Sequence, residues 1–144
     1  MIDIVFIKHI IDYGIIGILG FMGFLSLFFY IERLIFLNRI NMKSYKYKEK
    51  FEVDIMKHTS IISSIASNSV YIGLLGTVFG IIITFYSMGQ TGDIDVKIIM
   101  TSLSLALKAT ALGLIVAIPS MFFYNHLATK IETLITLWAI KDED

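Results

Sequence analysis

The chain has 144 residues, 56% of them hydrophobic and 17% charged, with a mean hydropathy of +0.78. A soluble domain carries about 25% charged residues, so this composition points to a membrane protein. Lys+Arg 12 balances Asp+Glu 12, which removes any global electrostatic case for a nucleic-acid partner, and the lack of cysteine excludes disulfides and thiolate metal sites.

Residues 1–12 mix charge (Asp3, Lys8, His9, Asp12) with apolar Ile4, Val5, Ile7 and Ile11 on one helical face, which predicts a short interfacial helix. Residues 13–31 carry no charge, and Tyr13 and Tyr30 stand near the ends as interface anchors, so 13–36 reads as the first transmembrane helix. Its basic flank lies downstream and no small-residue cleavage site follows, so it reads as a retained helix rather than a leader. Gly14, Gly17, Gly20 and Gly23 offer a close-packing strip along it.

The stretch 32–57 holds Arg33, Arg39, Lys43, Lys46, Lys48, Lys50 and Lys57, whereas the connection 89–97 has Lys97 beside Asp93 and Asp95. Basic residues favour the cytoplasmic side, so 37–64 is expected inside as a helical segment and 89–97 outside. Three spans with the N-terminus out and the C-terminus in follow. The basic-aromatic run 45–50 reads as a face toward lipid headgroups and solvent, not toward nucleic acid. Phe51, Ile55 and Ile62 keep helical spacing without Pro or Gly, predicting one long helix that projects into the cytoplasm and continues into the second span, 65–88.

Residues 59–92 contain no charged residue or histidine, more than the ~20 residues a crossing needs. Gly73, Gly76, Thr77, Gly80 and Thr84 fall along one face of that helix. A tight turn at 88–93 leads to a third span, 98–124, where Ser102, Ala106, Thr110, Gly113, Ala117 and Ser120 form a matching stripe. The two spans are expected to pair as a hairpin. Pro119 removes the donor for the Ile115 carbonyl and predicts a kink. Residues 125–144 read as an amphipathic cytoplasmic helix, with Leu127, Ile131, Leu134 and Trp138 packed on the projecting part of the second span and a frayed acidic tail at 142–144.

Little conventional chemistry is available. His9, His58 and His126 lack metal-ligand spacing, so no metal or other cofactor is assigned. No nucleophile set can be assembled, and Gly73-Leu74-Leu75-Gly76 is not followed by a phosphate-loop signature, so the chain does not read as an enzyme. Thr77, Thr110 and Lys108 remain. A threonine in a membrane helix ordinarily bonds the carbonyl one turn back, here Gly73 and Ala106. On matching stripes, the two hydroxyls can also line a proton path. Lys108 is the one formal charge within 13–31, 65–88 and 98–124 and is a functional candidate on that ground, although it points roughly opposite Thr110. With no Asp or Glu in 13–31, 65–88 or 98–124, either another protein supplies the acid or the chain moves no protons.

Gly73-Leu74-Leu75-Gly76-Thr77-Val78-Phe79-Gly80, Ala109-Thr110-Ala111-Leu112-Gly113-Leu114, Val116-Ala117-Ile118-Pro119 and Tyr124-Asn125, in this order, resemble the MotA/TolQ/ExbB proton-channel family, most closely its ExbB members. The resemblance implies an all-α, multi-pass protein of the cell inner membrane that forms a homopentameric ring, with 1–12 and 89–97 in the periplasm and the second and third spans lining a pore. An ExbD-like single-span partner would supply a membrane aspartate there, and proton flow would energise a TonB-like protein for uptake across the outer membrane. Thr77 and Thr110 match the pore threonines, while Gly73, Gly76, Gly80, Gly113 and Ala117 would pack the wall. Leu105 stands where the family commonly has glutamate, and Lys108 where it is usually apolar, so Lys108 is expected to pair with an acid of a neighbouring chain. A TolQ-like subunit of an envelope-maintenance motor and a non-conducting membrane scaffold are the alternatives.

Overall fold

In lipid, backbone polar groups must be satisfied internally, and helices do this within one segment. The computed structural model describes residues 3–143, and among these all regular structure is helical. Helix α1 spans Ile4–Arg39, α2 spans Lys48–Met56, α3 spans Thr59–Thr91 and α4 spans Val96–Glu143, with a 3-10 turn at Met42–Ser44 between α1 and α2. Helices α1, α3 and α4, of 36, 33 and 48 residues, are each long and apolar enough to cross a membrane.

Helices α3 and α4 form an antiparallel hairpin. Gly92 ends α3 in the left-handed conformation (φ 70°), donating its N–H to the Met88 carbonyl at 2.9 Å. Asp95 opens α4, its carboxylate accepting from the Lys97 N–H at 2.8 Å. Helix α1 lies across the hairpin and runs parallel to α4. Ser26 donates to Ser120 at 2.7 Å, the Tyr30 and Phe123 rings stack 4.3 Å apart, and Lys130 bonds Asn38.

Beyond this part the packing changes character. Leu37, Phe51, Ile55, Ile62, Leu127, Ile131 and Trp138 form a conventional apolar core, with Phe51 and Trp138 stacked 4.8 Å apart. The amphipathic end of α4 thus packs on α2 and on the start of α3. Tyr45 closes this core at its rim, donating to Asp54 at 2.9 Å, and burial together with that carboxylate raises its phenol above the ordinary range.

Three local expectations change. The charged residues at 8, 9 and 12 do not interrupt α1, which is unbroken from Ile4; the expected interfacial segment is continuous with the crossing, and its first two residues lie outside the described ones. Helix α4 likewise continues through Asp142 and Glu143 rather than fraying at 142, while Asp144 lies outside the described residues. The third change is a break where continuity was expected: α2 stops at Met56, and His58 takes φ 67°.

The cause of the break is tertiary. Arg33 of α1, only 3% exposed, donates to the Asp54 carbonyl at 2.7 Å and the Lys57 carbonyl at 3.1 Å. It thereby caps the end of α2, where a cation is also favoured by the helix dipole. Glu32 lies 3.2 Å from Arg33 Nε and 3.2 Å from His58 Nδ1.

Arg33→Met removes the donors from those carbonyls and is expected to lower stability by about 1–3 kcal/mol. His58→Gly removes a left-handed penalty of roughly 1 kcal/mol and is expected to raise it. Thermal midpoints of the detergent-solubilised protein check both directions.

Candidate functional site

Small residues allow α3 and α4 to touch at the backbone. A Cβ on Gly73 would lie 2.6 Å from the Ala109 carbonyl, and one on Gly113 would lie 2.6 Å from the Ser69 carbonyl. At Gly80 it would meet the Ala106 Cβ at 2.8 Å. Gly76 is a three-way junction, where a Cβ would meet Ala109 Cβ at 2.7 Å and Ile15 Cδ1 of α1 at 2.9 Å. These glycines and Ala117 are buried, as the stripes predict. Gly14, Gly17 and Gly20 differ: each has open space around it in the single chain, and of that strip Gly23 alone contacts α4, against Val116.

The close approach brings the two threonine hydroxyls together. Thr77, 8% exposed, donates across the seam to the Ala106 carbonyl at 3.0 Å, while its own Gly73 carbonyl is farther, at 3.4 Å. The half-buried Thr110 hydroxyl is within hydrogen-bonding distance of Thr77. Back-bonding of each threonine within its own helix is therefore replaced by a cross-helix chain. Thr77 can donate to the Ala106 carbonyl, which has a second lone pair to accept it, and either threonine can donate in the Thr77–Thr110 contact. The reason is distance: with glycine at 73 and 113, the carbonyl across the seam is nearer than the one a turn back. Farther along the seam, Thr84 bonds the Gly80 carbonyl at 2.7 Å and Ser69 bonds that of Ile65, both within α3.

Lys108 is not part of this arrangement. It lies on the other side of α4, in a groove against α1 of about 520 Å³ that Leu105 also lines. Pro119 is exposed, and α4 continues through it; Ser120 beside it donates to the Val116 carbonyl at 2.7 Å and accepts from Ser26. The Glu32–Arg33–His58 junction was not legible in the sequence, where its visible trace was a charged pair ending an apolar run.

Residues 31–140 match the MotA/TolQ/ExbB proton channel family. The chain belongs to this family. It is 48% identical over 132 residues to the biopolymer transport protein ExbB of Aquifex aeolicus, covering 92% of this chain and 89% of the relative. It is 46% identical over 128 residues to the biopolymer transport protein ExbB of Helicobacter pylori strain J99, covering 89% and 88%. An ExbB-like 2 protein of Helicobacter pylori strain 26695 is 46% identical over 133 residues, covering 92% and 89%. The chain is thus an ExbB-like member of a proton channel family, and with three spanning-length apolar helices it is a multi-pass membrane protein.

Gly73→Ala and Gly113→Ala place a methyl against backbone, not against a flexible side chain, and are each expected to destabilise the hairpin by about 1–3 kcal/mol. Gly89→Ala, which meets nothing within 4 Å, is the neutral control. Unfolding titrations in mixed micelles read the difference.

Proposed function

We propose that this chain is the proton-conducting subunit of an ExbB–ExbD–TonB-like inner-membrane motor, assembled as a pentamer with its N-terminus out and C-terminus in. The observation that carries this reading is the Thr77–Thr110 hydroxyl pair at the α3–α4 seam, in a chain of the proton channel family. Hydroxyls do not titrate in this range, so the pair holds no proton of its own to give up. It can respond to an acid that does. A protonated carboxyl of an ExbD-like partner donates to a lone pair of Thr110. Once ionised, the same carboxylate accepts the Thr110 proton, while Thr77 stays anchored on the Ala106 carbonyl.

Both protonation states thus find a partner on the same wall, which keeps the barrier to repeated proton transfer low. Each proton crossing supplies about 2.3 kcal/mol per 100 mV, enough to bias a mechanical step over many cycles. Gly73, Gly76, Gly80, Gly113 and Ala117 would keep the wall rigid. Pro119, which leaves the Ile115 carbonyl without its helical donor, is the place where α4 would flex between the pore wall and its projecting end. The motion would reach a TonB-like protein and so energise transport across the outer membrane. The basic-aromatic run at 45–50 would lie against lipid headgroups and solvent on the inner face.

Thr77→Val and Thr110→Val test this. Hydrogen bonds between membrane helices average about 0.6 kcal/mol, so either variant is expected to fold and assemble. A bond to an ionised carboxylate contributes about 1.5–3 kcal/mol, so proton flux with the partner co-expressed is expected to fall about tenfold or more. Unchanged flux in both variants, with the assembly intact, would count against Thr77 and Thr110 as the pore pair, and no flux in the unsubstituted complex would favour the non-conducting scaffold. A partner that supports envelope constriction rather than uptake would favour the TolQ-like branch.

A further inference from the structure

The contacts between α1 and α4 define a parallel register. Ser26 meets Ser120, Tyr30 accepts from or donates to His126 at 2.9 Å, and Asn38 meets Lys130, with sequence separations of 94, 96 and 92. Gly23 against Val116 fits the same offset. Carried to residue 12, this offset reaches 104–108, so Asp12 stands level with the turn of α4 that presents Leu105 and Lys108. The groove between the two helices confirms the match from a separate direction, since Lys8, His9, Asp12 and Tyr13 line one side of it and Leu105 and Lys108 the other.

The charges in that groove are few. His9 uses its Nδ1 on the Val5 carbonyl of its own helix at 2.8 Å. The ion pairs among the described residues lie elsewhere, at Glu32–Arg33, Lys48–Glu52 and Glu32–His58. Among the described residues Asp12 is the one acid lining the groove, and two amines compete for it. Lys8 lies one turn nearer the start of α1, where a long side chain reaches the interface on its own. Lys108 lies ~18 Å into α4 at 1.5 Å per residue, too far along for so easy an exit. Of the two, it is the one for which lipid leaves a strong need of a counter-charge.

We propose that Asp12 and Lys108 of the same chain form a charge pair that fastens α1 to α4 in this groove. The pair grips α4 on the face turned away from Thr110 and so acts as a positioning element for the seam behind it. It replaces the earlier expectation of an acid from a neighbouring chain. It also places a carboxylate of this subunit, Asp12, beside Leu105. The pairing is independent of the proton-channel reading, because a chain that conducts nothing would still show it.

A water-excluding carbodiimide joins a carboxyl to an amine in contact with it, and native membranes containing mixed light and heavy isotope-labelled subunits tell links within a chain from links between chains. The expected product is an Asp12–Lys108 amide between peptides of one label. A link from Asp12 to Lys8, a mixed-label product, or no link to Lys108 overturns the proposal. Charge reversal gives an independent reading. Asp12→Lys is expected to reduce assembled protein in the membrane several-fold, and adding Lys108→Asp is expected to restore most of it, while Lys8→Gln changes neither. An inert Asp12→Lys, or a double variant no better than the single, overturns it as well.

Discussion

The backbone contact between α3 and α4 at Gly73 and Gly113 is the constraint from which the remaining arrangement follows. Lipid tails are as apolar as leucine, so helices within a bilayer gain little by hiding hydrophobic surface from one another. They associate where the backbones can approach, and here glycine on both helices lets each meet a carbonyl of the other. The same approach draws Ile15 of α1 onto Gly76 and sets Thr77 within reach of the Ala106 carbonyl. One packing decision therefore seats the first helix and builds the hydroxyl pair.

Past the spanning part the same helices meet by different rules. There apolar burial holds the helices together, and they pack through Phe51, Ile55, Leu127, Ile131 and Trp138 instead of glycine and serine. A single helix, α4, takes part in both regimes, with Ala106, Gly113 and Ala117 in one and Leu127 and Trp138 in the other. Between them the Glu32–Arg33 pair holds the ends of α2 and α3, so a displacement of α1 at this level would be felt at the break between those helices.

The two faces of α4 carry different chemistry. Toward α3 lie Thr110 and the small residues; toward the α1 groove lie Leu105 and Lys108. This division explains how the chain accommodates a lysine within the span. The charge is kept away from the hydroxyl pair. It is turned instead toward a groove that contains an acid.

Three spanning helices, the hairpin of α3 and α4, the buried stripes with Thr77 and Thr110 on them, and the amphipathic end of α4 were all determined by the sequence alone, because hydropathy, glycine spacing and helical periodicity are local properties of a chain. Three features were decided only by tertiary structure. The break at His58 depends on Arg33, a residue far away in sequence that supplies the donors ending α2. The cross-helix bond of Thr77 depends on an interhelical distance that no single helix contains. The level at which Asp12 faces α4 depends on the register of two parallel helices, and periodicity specifies which face a residue occupies but not which residue of another helix it meets.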